Sequence, residues 1–334
     1  MSEHPSPSQN DTGGADVWNA KLRLATLNRS DLIQCGLVAV ILAMIFFLFH
    51  FQGNTTDVRA FGRSALLWMV ERWTDDISHG GDYSHGWLIP IASLAVVYWK
   101  RREIAAAPKS ISRIGLMVVI LGLLMHWMGA KAQQTRFSLF ALIVLLWGIP
   151  FYLYGWKVAK ILIFPAAFLI FCIPMNFLDT ITFPLRIFAT MTAGGLLNGI
   201  GIPVERVGSG LHFLTEGAMQ LDVADPCSGI QSLMALTSIT AIYAYFTQGT
   251  LFKKWLLFLC AIPLAVFANI IRVTTIAIVA EAFGMELALG LYHDWSGFIV
   301  FAVAISSMMA LGTLINIDYR EFKNRWKYAL LSPT

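Results

Sequence analysis

The chain has 334 residues, of which 57% are hydrophobic and 13% charged, with a mean hydropathy of +0.65. Soluble domains carry about 25% charged residues, so this composition excludes ordinary soluble domains and points to a polytopic membrane protein. The net charge is +4, and no basic stripe is interleaved with aromatics, so the surplus reads as a topological signal and not as a nucleic-acid footprint.

Residues 1–31, "MSEHPSPSQNDTGGADVWNAKLRLATLNRSD", are polar and expected to form a disordered tail. They lack the basic, apolar and small-residue succession of a cleaved signal peptide. Apolar runs then predict eight spans, at 32–51, 86–99, 114–130, 138–154, 161–175, 229–247, 255–282 and 296–315. The second is short for a span of about 20 residues; the fifth is also short, and either tilts or begins earlier. Residues 316–334 form a second, basic tail. No internal repeat or linker divides the chain, so 32–315 is read as one transmembrane domain.

Lysine and arginine in the loops set the orientation. One side holds 16 of them: Lys21, Arg23 and Arg29; Lys100, Arg101, Arg102, Lys109 and Arg113; Lys157 and Lys160; Lys253 and Lys254; and Arg320, Lys323, Arg325 and Lys327. The other side holds seven: Arg59, Arg63, Arg72, Lys131, Arg136, Arg186 and Arg206. Both termini are therefore expected in the cytoplasm, with the loops 52–85, 176–228 and 283–295 outside. In the longest of these loops, "FPLRIFATMTAGGLLNGIGIPVERV" begins as a short amphipathic helix lying on the membrane surface. "LHFLTEGAMQLDV" alternates around Glu216-Gly217 and reads as a hairpin. The predicted class is all-α, a polytopic helical membrane bundle with about eight transmembrane helices, plus this outer helix and hairpin.

The hairpin delivers the chain to "DVADPCSGIQSL". The cysteines are Cys35, Cys172, Cys227 and Cys260. None forms a CxxC and three sit inside apolar runs, so neither a disulfide framework nor a thiolate metal site is expected. Cys227 differs by its flanks. Asp225 is a favoured N-cap and Pro226 suits the first helical position, which sets Cys227 in the first turn of the sixth span. A helix N-terminus favours a thiolate; the Asp225 carboxylate opposes it unless capping takes up its charge. The competing reading is a small apolar residue filling a helix start.

Arg272 sits in "FANIIRVTTIAIV", an otherwise apolar span. It lies 17 residues beyond Trp255, about 26 Å along a helix, which brings its guanidinium to the outer edge of a core about 30 Å thick. Charges within spans are functional candidates by default; the alternative is a structural pair with Glu281 or Asp225. Asn269 and Thr275 lie three residues to either side, on the same face. His293, in "LYHDWSGF", falls at the same outer level, as a general base or as an interfacial cap with Trp295 in the aromatic belt. His85, in "DYSHGWLIP", heads the second span and either starts an interfacial helix or lines the entry to a site. A cysteine, an arginine and a histidine at three helix ends on one face are the parts that cysteine acyl chemistry needs: a thiolate, a proton-transfer group and an oxyanion stabiliser. Ser228 beside Cys227 and Asp294 beside His293 join Asp225, Asn269 and His85 as supporting or substrate-binding candidates. No His/Asp cluster has metal-ligand spacing, so no metal or cofactor is expected.

"PCSGIQSL", "ANIIRV" and "HDWSGF", in that order on successive spans, resemble the exosortases, membrane cysteine transpeptidases related to archaeosortases. "YSHGWLIP" is similar to their N-terminal signature, and the resemblance covers roughly residues 80–315. It implies Cys227 as nucleophile, Arg272 as basic partner and His293 as third member, at the outer, periplasmic face of a bacterial inner membrane. It implies as substrates secreted proteins with a C-terminal sorting signal: a short Pro-containing motif, a transmembrane helix and a basic cluster, as in PEP-CTERM proteins. The acyl group would pass to an acceptor nucleophile. Pro226 and Gln231 depart from the family pattern, where a small residue and an arginine are common. Three other classes fit an apolar chain: a membrane acyltransferase using lipid donors, a membrane thiol oxidoreductase, which needs a cysteine pair on the outer face where only Cys227 clearly lies, and a transporter or polymer-export subunit. The transporter predicts repeated halves and charges at midplane in several spans, and neither is evident.

Overall fold

The computed structural model describes residues 29–55, 58–74, 83–175, 177–214, 220–222 and 230–317. Most of both tails, the tip of the hairpin at Glu216-Gly217 and the segment holding Asp225, Cys227 and Ser228 lie outside the described residues. All eight apolar runs fall on helix. These helices are α1 (Arg29–Phe51), α2 (Ala65–Thr74, in the first outer loop), α3 (Leu88–Trp99), α4 (Arg113–Lys131), α5 (Thr135–Tyr154), α6 (Trp156–Phe168), α7 (Phe177–Gly199, in the long outer segment), α8 (Ile230–Thr247), α9 (Leu251–Phe283) and α10 (Leu291–Asn316). The fifth run begins at Trp156, earlier than its apolar core, and continues as a 3-10 turn over Leu169–Cys172.

Among the described residues, α4, α5 and α9 are long and apolar enough to cross a membrane, and shorter apolar stretches cover Gly36–Phe51, Leu233–Thr247 and Phe301–Asn316. At 12 and 13 residues, α3 and α6 fall short of the roughly 20 that a bilayer core asks for. α9 does the opposite. Its 33 residues extend about 50 Å, well past a core of about 30 Å.

Small residues let the first helices approach closely. Gly115, Gly122 and Gly129 recur every seven residues on α4, facing α5. A Cβ at Gly115 would run into the Tyr152 backbone; at Gly122 it would lie 2.9 Å from Leu145 Cδ2, and at Gly129 2.7 Å from Ser138 N. Backbones this close are held by dispersion where lipid gives no hydrophobic gain. The His126 Nδ1–Ser138 Oγ hydrogen bond (2.7 Å) joins the same two helices. Gly155 alone links α5 to α6, with φ of 80° and no room for a Cβ beside Ser110 O.

The non-helical stretch that ends the α6 segment is satisfied within the protein. Trp73 Nε1 donates to Cys172 O (2.8 Å), Arg136 Nε to Pro174 O (2.8 Å) and the Tyr83 hydroxyl to Met175 O (3.0 Å), while Met175 N donates back to that hydroxyl (2.9 Å). Irregular backbone is tolerated near a membrane only when so paired. Trp73, Tyr83, Phe168, Cys172 and Met234 share one buried cluster, which ties α2 and α6 to α8.

The second group is α8, α9 and α10. Leu236, Ala265 and Ala304 meet in one layer, and Ala244, Leu257 and Met308 in another. Gln248 Nε2 donates to Gly312 O (3.3 Å) near the opposite end. The long outer segment packs against the last half of α9: Ala193 and Leu197 of α7 and Val204, Leu211 and Phe213 of the strands bury Val273, Ile276, Ala277 and Ala280. The expected outer helix is therefore not short; it runs for 23 residues. Several of its large apolar residues are left uncovered by the protein. Thr182, Ala189, Thr190, Ala193 and Gly194 are buried, while Phe183, Phe188, Met191 and Leu196 are at least half exposed.

The hairpin expected around Glu216-Gly217 is present as β2 (Gly210–Phe213) and β3 (Gln220–Asp222), with Leu211 opposite Leu221 and His212 opposite Gln220. A further strand, β1 (Val204–Val207), pairs antiparallel with β2 and completes a three-stranded sheet. Its two-residue link is Gly208-Ser209, with Gly208 at φ 63°, a glycine-first turn that matches strand twist.

Candidate active site

Three helix ends converge because α8, α9 and α10 alternate in direction. Thr247 and Leu251 are separated by a short turn, and the five-residue helix Met285–Leu289 joins α9 to α10. The start of α8, the last part of α9 and the start of α10 thus share one end of the group. The Leu236–Ala265–Ala304 layer gives a common level. Ile230, the first residue of α8, lies about 9 Å above it, Arg272 about 10 Å and His293 about 16 Å, at 1.5 Å per residue. The backbone of His293 and Asp294 lies in the first turn of α10. The expected outer loop 283–295 is consequently mostly helical, because Gly284 and Gly290 stop one helix and start the next within seven residues.

Arg272 is half-buried on α9. Thr275 does not extend a polar face around it, since its hydroxyl turns back to the carbonyls of Ile271 (2.7 Å) and Arg272 (3.1 Å). Glu281 stands nine residues further along, about 13 Å by helical rise. Asn269, one turn below Arg272, is 7% exposed, and its Oδ1 accepts no hydrogen bond among the described residues. It lines an open cleft of about 290 Å³ at the junction of α7, α8 and α9, together with Thr182, Arg186, Ala189, Leu233 and Ala265. Leu233 is six residues beyond Cys227 in sequence.

Arg186 of α7 is the residue that sequence reasoning passed over. The loop charges place it only among the outer cations, although it is a lone charge in the apolar stretch "FPLRIF", the same signal that singles out Arg272. Its Nε is buried and forms no hydrogen bond among the described residues, and its guanidinium carbon lies 5.8 Å from the centre of the Phe183 ring.

His85 lies in the 3-10 turn Ser84–Trp87, next to Tyr83 of the buried cluster that includes Met234 of α8. Both ring nitrogens are buried and neither forms a well-aligned hydrogen bond; the ring lies 5.9 Å from that of Tyr83. Burial holds its pKa below the ordinary histidine value, and the Phe171 carbonyl opposes this only in part. His85 thus packs beside Tyr83, close to the buried cluster that joins the end of α6 to α8. Among the described residues no group of His, Cys, Asp and Glu could hold a metal ion.

A family model described as transmembrane exosortase matches residues 73–310, more than two thirds of the chain. Among curated proteins and solved structures, none matches it.

Proposed function

The chain belongs to the transmembrane exosortase family, and from that premise we propose that it cleaves C-terminal sorting signals of secreted proteins and transfers them to an acceptor at the outer face of a bacterial inner membrane. Residues 32–315 form the catalytic unit, with eight spans and both tails, 1–31 and 316–334, in the cytoplasm. The observation that supports the reading is that the α8 start, Arg272 and the α10 start lie toward one end of the α8–α9–α10 group, within the matched region.

The chemistry follows from those three ends. The tail helix of the substrate docks beside the bundle, with its motif at the outer rim. The Cys227 thiolate attacks the motif carbonyl, forming a C–S bond as the carbonyl electrons move to oxygen. Arg272 favours the thiolate and stabilises the oxyanion, since developing charge is met best by fixed donors in a dry site. Collapse breaks the C–N bond, and His293 gives the leaving amine its proton. The tail departs, leaving a thioester on Cys227. His293 then takes a proton from the incoming nucleophile, which displaces Cys227 and receives the acyl group. Asp225 and Ser228 flank the nucleophile, Asp294 adjoins the base and Asn269 lines the motif's path. No metal or cofactor enters this sequence.

The test is processing of a tail-bearing substrate by the full chain. Cys227→Ala and Cys227→Ser are expected to stop it at unchanged protein level, while alanine at Cys35, Cys172 or Cys260 retains it. Full processing by Cys227→Ala rejects cysteine catalysis.

A further inference from the structure

The cleft between α7, α8 and α9 holds two buried polar atoms with opposite needs. Arg186 Nε is a donor without an acceptor, and Asn269 Oδ1 is an acceptor without a donor among the described residues. Asn269 is more than nine-tenths buried, a condition that protein interiors rarely leave unsatisfied. Arginine only donates. A carboxylate entering the cleft would serve Arg186 but leave Asn269 Oδ1 without a donor. A peptide group serves both, with a C=O for the guanidinium and an N–H for the amide oxygen. Water can occupy both atoms in an empty cleft and be displaced without loss of hydrogen bonds.

We propose that this cleft is the subsite for the backbone of the substrate's sorting motif, with Arg186 and Asn269 clamping one peptide unit, and that Arg186 is a positioning residue. The proposal rests on the sorting reading above. Asn269 lies one turn, about 4.5 Å, to the membrane side of Arg272, so the clamped unit is on the tail-helix side of the scissile amide. A clamp on the uncharged peptide backbone fixes register without reading side chains. Residues elsewhere then select the motif.

The experiment uses the full chain in proteoliposomes and a synthetic peptide of a tail that the parental protein processes, with motif, apolar helix and basic cluster. A second set of peptides carries a single N-methyl group at each motif amide in turn. Arg186→Gln is expected to raise KM about tenfold, the loss of one hydrogen bond to a charged group, with kcat within about twofold, the mark of binding lost equally from ground and transition states. Arg186→Lys retains part of the affinity. With the parental protein, N-methylation at one position on the tail side of the scissile bond raises KM similarly, and the same peptide shows no added defect in Asn269→Ala. If Arg186→Gln does not reach parental membrane levels, the peptide scan with the parental protein and Asn269→Ala decides alone. An unmoved KM in Arg186→Gln, or no methyl position whose effect depends on Asn269, overturns this proposal while leaving sorting intact. A parental protein that processes no tail overturns both.

Discussion

Arg272 and His293 are assigned different jobs, so their variants should fail differently. Arg272→Lys keeps the charge but loses the planar fork, and a strong, incomplete loss of processing is expected. Arg272→Ala should lose at least about 10²–10³ in rate, as for a missing oxyanion donor. Its Cys227 should also label more slowly with an impermeant thiol reagent at neutral pH, because a thiolate without its cation is protonated there; raising the pH should restore labelling. His293→Ala should lose about 10²–10⁴ and, where the second half-reaction suffers more, accumulate a thioester released by hydroxylamine. Parental rates in both variants would show that the three helix ends do not form one site. Asn269 and Arg272 were legible in the sequence because each is polar within an apolar run, where polar atoms are expensive. Arg186 has the same character but was hidden by its neighbours: threonine and glycine in α7 dilute the apolar signal, so the segment read as a surface helix within an outer loop and the arginine as a topological charge.

Helix existence was legible at the scale of elements, and helix faces were not. In water the apolar stripe marks the side buried against the protein; on α7 most of it does not. Here Phe183, Phe188, Met191 and Leu196 face outward and the small residues Ala189, Ala193 and Gly194 face the protein, because lipid accepts large apolar groups and close packing selects small ones. The α4–α5 seam follows the same rule and can be measured. Gly129→Ala places a Cβ 2.7 Å from the Ser138 backbone nitrogen, which no side-chain rotation relieves. A destabilisation of about 1–3 kcal/mol is expected, seen as a lower thermal midpoint in detergent. Gly195→Ala, with nothing within 4 Å of its Cβ, should be neutral or slightly stabilising through helix propensity; equal effects at both positions would contradict the seam. β1 was missed although Gly208-Ser209 between alternating residues is a hairpin signal. Its strand is four residues long and shares a glycine-rich stretch with the end of α7, so periodicity had little to act on.

For the whole molecule, the apolar runs located the helices but overstated how uniformly they cross. α9 outruns a bilayer and α3 and α6 fall short of one, so length alone does not decide the crossing of each. The charge asymmetry still makes a global prediction: a reporter fused after Thr334 should be active only when cytoplasmic enzymes serve it, and one inserted after Ser209, in the β1–β2 turn, only in the export compartment. Cytoplasmic activity at Ser209 would invert the bundle and set Cys227 on the wrong side of the membrane for secreted substrates. The central claim is the covalent step, and mass spectrometry of the Cys227 peptide tests it most directly, using membranes in which His293→Ala protein has met a tail-bearing substrate. The account predicts a hydroxylamine-sensitive adduct whose mass equals the substrate fragment ending at the cleaved motif. A fatty-acyl adduct, or an unmodified Cys227 while the substrate is still cleaved, would contradict it.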